Sequence, residues 1–174
     1  GEVFAGDYST EIRSYDLDGG NEKTVAVFPH EIDFRTIFYE RYCITVTKDY
    51  LFDEETHEWM GNKSGIYRID LETGKYELLC PEREGKNIDY YLYGITENNL
   101  IYCEWTGTIH ELRMMDLDTG EIKNPLPGKS LAMDAFISGN EFVCNVTENN
   151  SNYVVRIDLK TDRKSTRLNS SHQA

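Results

Sequence analysis

The chain has 174 residues, 39% of them hydrophobic and 12% aromatic, and a formal net charge of -13. That length gives one domain a real core and is short for two. The acidic surplus, spread along the whole chain, excludes nucleic acid and anionic membrane surfaces as expected partners, because like charge repels phosphate.

Taken in chain order, Glu2-Val3-Phe4-Ala5 reads as the end of a strand, and Ile12 to Gly20 as β-formers running through Asp16-Leu17 into a turn. The same pattern returns at Ile66-Tyr67-Arg68-Ile69-Asp70-Leu71-Glu72-Thr73-Gly74, at Leu112 to Gly120 and at Val154 to Asp162. The four Asp residues, Asp16, Asp70, Asp116 and Asp158, stand 54, 46 and 42 positions apart. Such a period matches one four-stranded propeller blade, roughly 40 to 50 residues. Each marker predicts a strand, two turn residues, and then a residue at positive φ, Gly74 and Gly120 in two of the copies.

A second hairpin precedes each of the later markers, with Lys48-Asp49, Asn98-Asn99 and Gly139-Asn140 as turn pairs between apolar runs. Each unit then holds four strands, a to d. Strand c carries Ile66 on one face and Ile69 and Leu71 on the other, so both faces need cover. Radially stacked blades supply it; a two-layer sandwich is the structural alternative.

The expected fold is therefore all-β: a β-propeller portion of about three to four four-stranded antiparallel blades, at 1–28 (incomplete), 34–80, 88–126 and 131–163 (incomplete). No ring closes with so few blades, so the expectation is part of a longer chain, about half of a six- to eight-bladed ring. Where the last blade should offer an apolar strand d, Lys164 to Ala174 is nearly all polar. This stretch resembles translated adapter sequence and is expected to be a non-native or disordered tail.

Chemistry-bearing motifs are sparse. Cys43, Cys80, Cys103 and Cys144 lie in apolar runs with no C-x-x-C pair, which predicts buried free thiols rather than zinc or redox chemistry. The recurrent Asp residues precede tight turns, where a carboxylate accepts backbone N–H bonds from its own hairpin. Neither His30 nor His110 has a second ligand at useful spacing, and no nucleophile motif or phosphate loop is present. No catalytic residue, metal or cofactor is expected. The b–c connections, 54–64, 104–108 and 147–152, emerge opposite the marker turns. His57, Trp59, Glu104 and Trp105 on them form the expected ligand-binding set, because aromatic faces beside polar groups suit a sugar ring or a peptide.

The segment Ile66 to Lys75 resembles the c–d hairpin of TolB-like and YVTN-type bacterial propellers, and the likeness of pattern extends from residue 1 to about 163. WD-type repeats are a poorer match, since Gly-His and Trp-Asp pairs are missing. The resemblance implies a propeller fold and an extracytoplasmic, exported protein. It is weak on function, since the superfamily includes scaffolds, sugar-processing enzymes and peptidase-gating domains. The expected role is a noncatalytic module presenting a loop face to a protein, peptide or glycan, with no nucleic acid and no membrane span. The alternatives are part of a propeller hydrolase or lyase acting on glycans, and the gating propeller of a peptidase.

Overall fold

The computed structural model of the protein describes residues 3–5, 9–86, 88–148, 151–161 and 163–168. Among these, every regular element is a strand and the pairing is antiparallel throughout. The chain divides into two compact units, Gly1–Tyr90 and Tyr91–Ala174.

The first unit opens with β1 (Val3–Ala5), followed by β2 (Thr10–Ser14) and β3 (Lys23–Phe28), which pair as a two-stranded sheet. The next sheet takes β4 (Ile32–Tyr39), β5 (Tyr42–Thr47), β7 (Trp59–Asp70) and β8 (Tyr76–Gly85) as strands a to d, with β6 (Asp49–Asp53) extending β5 along β7. Strand β1 runs against β6, with Val3 opposite Asp53, instead of completing the first blade as expected. The cause is an open edge: β4 begins opposite Thr47 and leaves β6 without a partner on that side.

Two further sheets in the same order belong to the second unit, apart from the first three residues of β9, which fall in the first. One is β9 (Ile88–Thr96), β10 (Asn99–Thr106), β11 (His110–Asp116) and β12 (Ile122–Lys123). The other is β13 (Ser130–Ser138), β14 (Glu141–Glu148), β15 (Ser151–Asp158) and β16 (Arg163–Leu168). The last blade thus has a fourth strand where a tail was expected, with Tyr153 opposite Leu168 and Asp158 opposite Arg163. A ladder asks only for extended backbone, which polar residues also supply. The rest of that stretch, 169–174, lies outside the described residues.

Turn chemistry explains the markers. The Oδ1 of Asp70 accepts the N–H groups of Glu72 and Thr73, and Asp116 and Asp158 do the same in their own turns. Gly74 and Gly120 close two of these turns at φ 69° and 73°. The N–H of the marker leucine donates across to the a–b turn: Leu71 to Arg41, Leu117 to Asn98 and Leu159 to Asn140, at 2.8–3.0 Å. This pairing also corrects one turn. The a–b turn of the second blade is Glu40-Arg41, with Glu40 at φ 53°, and Lys48-Asp49 is a break inside strand b.

Each unit buries an apolar layer between neighbouring blades. In the first, Ala26 and Phe28 of β3 meet Cys43, Tyr67 and Ile69 of the next sheet. In the second, Ile101, Cys103 and Leu112 meet Phe142, Cys144, Val146, Val155 and Ile157. Consecutive residues 64 to 67 of β7 are all buried, so both faces of that strand are covered, as stacked blades require. All four cysteines are buried and none is in a disulfide, and burial pushes Cys43 up to about 11 and Cys103 and Cys144 up to about 12.

Candidate functional site

The expected ligand-binding set is split between the two units. In the first, the b–c connection is shorter than expected, because β7 begins at Trp59 and leaves only residues 54–58 as turn. Those residues repeat the marker geometry. The Oδ1 of Asp53 accepts the N–H groups of Glu55 and Thr56, and His57 donates its N–H to the Asp53 carbonyl at 2.9 Å. His57 takes the place of the marker glycine at φ 57°, which fixes it as part of a turn. Trp59 and Met60 follow, 43% and 41% exposed.

In the second unit Glu104 is buried rather than presented, with Arg113 Nε donating to its Oε2 at 3.1 Å. Burial enters first and lowers the Arg113 pKa, but Glu104 and Glu111 outweigh it and raise it. Trp105 is half-buried and sets its ring edge-on to His110, 5.3 Å between centroids at 88°. Trp59 is therefore the more open of the two indoles.

A polar cluster that sequence spacing does not reveal lies in the first unit, built by the β3–β4 connection, a strand break, a bulge and a glycine. The connection Pro29-His30-Glu31 between β3 and β4 is tied down on both sides: Thr10 Oγ1 donates to the His30 carbonyl at 2.9 Å, and Lys48 N–H to the Glu31 carbonyl at 3.0 Å. The break between β5 and β6 turns Asp49 towards this connection. Its Oδ2 lies 2.7 Å from His30 Nδ1, and its Oδ1 accepts the Glu31 N–H at 3.2 Å. On β8, Pro81 and Glu82 together oppose Gly65, a bulge that redirects the strand. Gly65 makes the room: a Cβ there would stand 3.1 Å from Glu82 Cγ.

Glu82 is consequently held above β7. Its Oε1 accepts the Tyr67 hydroxyl at 2.8 Å and its Oε2 faces Lys63 Nζ at 2.8 Å. The ligand atoms of His30, Asp49 and Glu82 all lie within 4.8 Å of one another. Aromatic rings wall the site, with Phe28 5.0 Å and Tyr67 5.2 Å from the His30 ring. Each such contact contributes on the order of 0.5–1.5 kcal/mol beyond area burial.

The electrostatics follow this geometry. Burial pushes Glu82 up, but the bonds from Lys63 and Tyr67 prevail and hold its carboxyl below the ordinary 4.5. Lys63 is raised, first by its bond to Glu82 and against burial. Burial and then the bond to Glu82 raise the Tyr67 phenol well above its ordinary value. The expectation that His30 lacks further ligands is thus corrected: its neighbours come from 19 and 52 residues away, across two strands, where no local spacing rule reaches. The turn-like pair Lys48-Asp49 inside an apolar run, and Pro81 beside Glu82, are the signals that mark it in hindsight.

No family model matches the chain, and no curated protein matches it in sequence. Solved structures do match. A puromycin-hydrolysing peptidase of Mycobacterium tuberculosis is 18% identical over 91% of this chain, with a TM-score of 0.56. An oligogalacturonate lyase of Vibrio parahaemolyticus is 11% identical over 90%, with a TM-score of 0.54. The chain is a run of β-propeller blades. The TolB of Acinetobacter baumannii also aligns, 17% identical over 90% of this chain at a TM-score of 0.47. These blades span 24%, 47% and 48% of the lengths of those three structures. Among the described residues no helix is long and apolar enough to cross a membrane.

Proposed function

We propose that these propeller blades form a noncatalytic binding module, placed outside the cytoplasm, that receives a protein, peptide or glycan at the end of the sheets carrying the b–c turns. The observation that carries this reading is the pair Trp59 and Met60, adjacent large apolar side chains more than two-fifths exposed at the start of β7. They follow a turn whose Glu54, Glu55 and Glu58 are all exposed. An open indole flanked by carboxylates suits a ligand with an apolar or sugar face and polar or basic flanks. The glycan-acting and peptidase-gating alternatives rest on fold alone, which does not choose between them.

The test is a screen of peptide and glycan arrays with the full chain, repeated with Trp59→Ala and Trp105→Ala. The expected result is a ligand whose capture Trp59→Ala abolishes, with both variants melting as the parent does. A ligand retained by Trp59→Ala, or no ligand on either array, overturns the reading.

A further inference from the structure

We propose that His30, Asp49 and Glu82 bind a divalent first-row transition ion, Zn2+ in the first place, which staples the β3–β4 connection to β8. This site goes beyond the binding role above and does not depend on it.

The donor set fits such an ion. An ion with bonds of about 2.0–2.2 Å holds neighbouring ligand atoms roughly 3.3–3.5 Å apart. The three side chains already place one imidazole nitrogen and two carboxylate oxygens within 4.8 Å of one another. Side-chain rotations that shorten the widest separation, at most 4.8 Å, by about 1.5 Å close that set around an ion, and the 2.7 Å bond between His30 and Asp49 gives way to two bonds to the metal. An imidazole favours transition ions over Ca2+ and Mg2+, which prefer all-oxygen shells. Water completes the coordination.

The surroundings favour it as well. Asp49 is only 5% exposed, and Phe28 and Tyr67 wall His30, so the site's charge is poorly screened by solvent. The Tyr67 hydroxyl orients Glu82, the supporting contact that metal-ligating carboxylates ordinarily have. Two carboxylates carry two negative charges here, and one ammonium, Lys63, offsets half of them. Lys63 is a long, half-buried side chain that also feels Glu84 and Asp49, so it can swing off Glu82 when an ion arrives. Ammonium and metal then compete for one place. The four thiols are buried and offer no rival site while the chain is folded.

The experiment titrates ZnCl2 into the EDTA-stripped full chain by calorimetry, with CaCl2 and MgCl2 as comparators, and follows the melting temperature. One Zn2+ per chain is expected, with a higher melting temperature and preference over both comparators. His30→Gln should weaken binding by at least about 100-fold, since it removes a direct ligand and loss of a mere outer-shell partner already costs about 10–100-fold. Glu82→Gln, which still accepts the Tyr67 hydroxyl, should weaken it while melting like the parent in EDTA. Lys63→Met should tighten it about tenfold, because the competing cation is gone, an effect that a merely structural polar cluster does not produce. His110→Gln should bind as the parent does. Absence of saturable Zn2+ binding, binding unchanged in His30→Gln and Glu82→Gln, or weaker binding by Lys63→Met overturns the proposal.

Discussion

The two units use one repeat to build two different blade interfaces. In the second, the layer from Ile101 to Ile157 is apolar throughout its ten buried members. In the first, the corresponding layer has five buried members among the described residues and ends at Tyr67, whose hydroxyl leads directly into the cluster of Glu82, Lys63, Asp49 and His30. Both units close a d–a connection onto strand b with a side-chain pair, an ion pair of Lys129 with Glu148 in one and the 2.7 Å hydrogen bond of His30 with Asp49 in the other. Asp49 and Glu148 each stand eight residues past the turn carbonyl that receives the marker leucine, at Arg41 and Asn140. The pairing is thus a feature of the blade, and only its environment differs. Lys129 and Glu148 are each more than a third exposed or nearly so, whereas Asp49 is buried. A shared fold therefore tolerates a polar cluster at a blade interface once a bulge, a strand break and a glycine make room for it.

Removing an aromatic ring should break the second unit most severely. Phe142 is fully buried, and Phe142→Ala should cost about 3–5 kcal/mol in denaturant unfolding. The first unit should respond to loss of a polar group instead. Asp49→Ala leaves the His30 ring and the Glu31 N–H without their acceptor and should cost about 1–3 kcal/mol by the same measurement. If Asp49→Ala is neutral, the cluster contributes nothing and the contrast between the interfaces fails.

Thiol labelling reads the contrast directly, since each unit carries two buried cysteines. In rising denaturant, with labelling followed by mass spectrometry, Cys43 should react before Cys103 and Cys144, because the smaller apolar layer that holds it opens first. Simultaneous labelling would show the units unfolding as one.

Acid should treat both units alike. At Asp116 the N–H groups of Thr119 and Asp118 lower the carboxyl; at Asp70 burial pushes up but the turn N–H groups and Arg41 prevail. A depressed carboxylate contributes stability above its unfolded value, ordinarily 3.8 here, and loses that contribution as pH falls through the folded value. Asp70→Asn and Asp116→Asn should each flatten the acid limb of stability against pH to a similar, small extent. The smallest effect on folding is expected for Trp59→Ala, within about 0.5 kcal/mol, even where it abolishes ligand capture.

The fold was legible because hairpin chemistry is local: a carboxylate, two turn residues and a glycine lie within five positions, so the four markers expose both strands and period. The cluster was not, because its parts lie far apart and one has the composition of a turn. Lys48-Asp49 has turn composition, yet the true turn, Glu40-Arg41, uses a glutamate at positive φ that no propensity favours. Asp49 is turn-like for another reason, since its side chain holds the neighbouring connection. The fifth marker, Asp53 to Thr56, was readable as Asp-x-x-Thr, but His57 in place of glycine concealed it. Glu104 reads as a loop residue because nothing local announces Arg113 across the hairpin.

The bulge on β8 has one more consequence, for the behaviour of many chains together. Among the described residues β8 pairs only with β7 and so presents an outer edge, the place where sheets recruit strands from other molecules. Pro81 has no N–H to offer an incoming strand, the bulge throws the edge out of register, and Glu82, Arg83 and Glu84 place charge along it. The irregularity that positions a carboxylate inside one molecule thus also keeps neighbouring molecules from adding to its sheet.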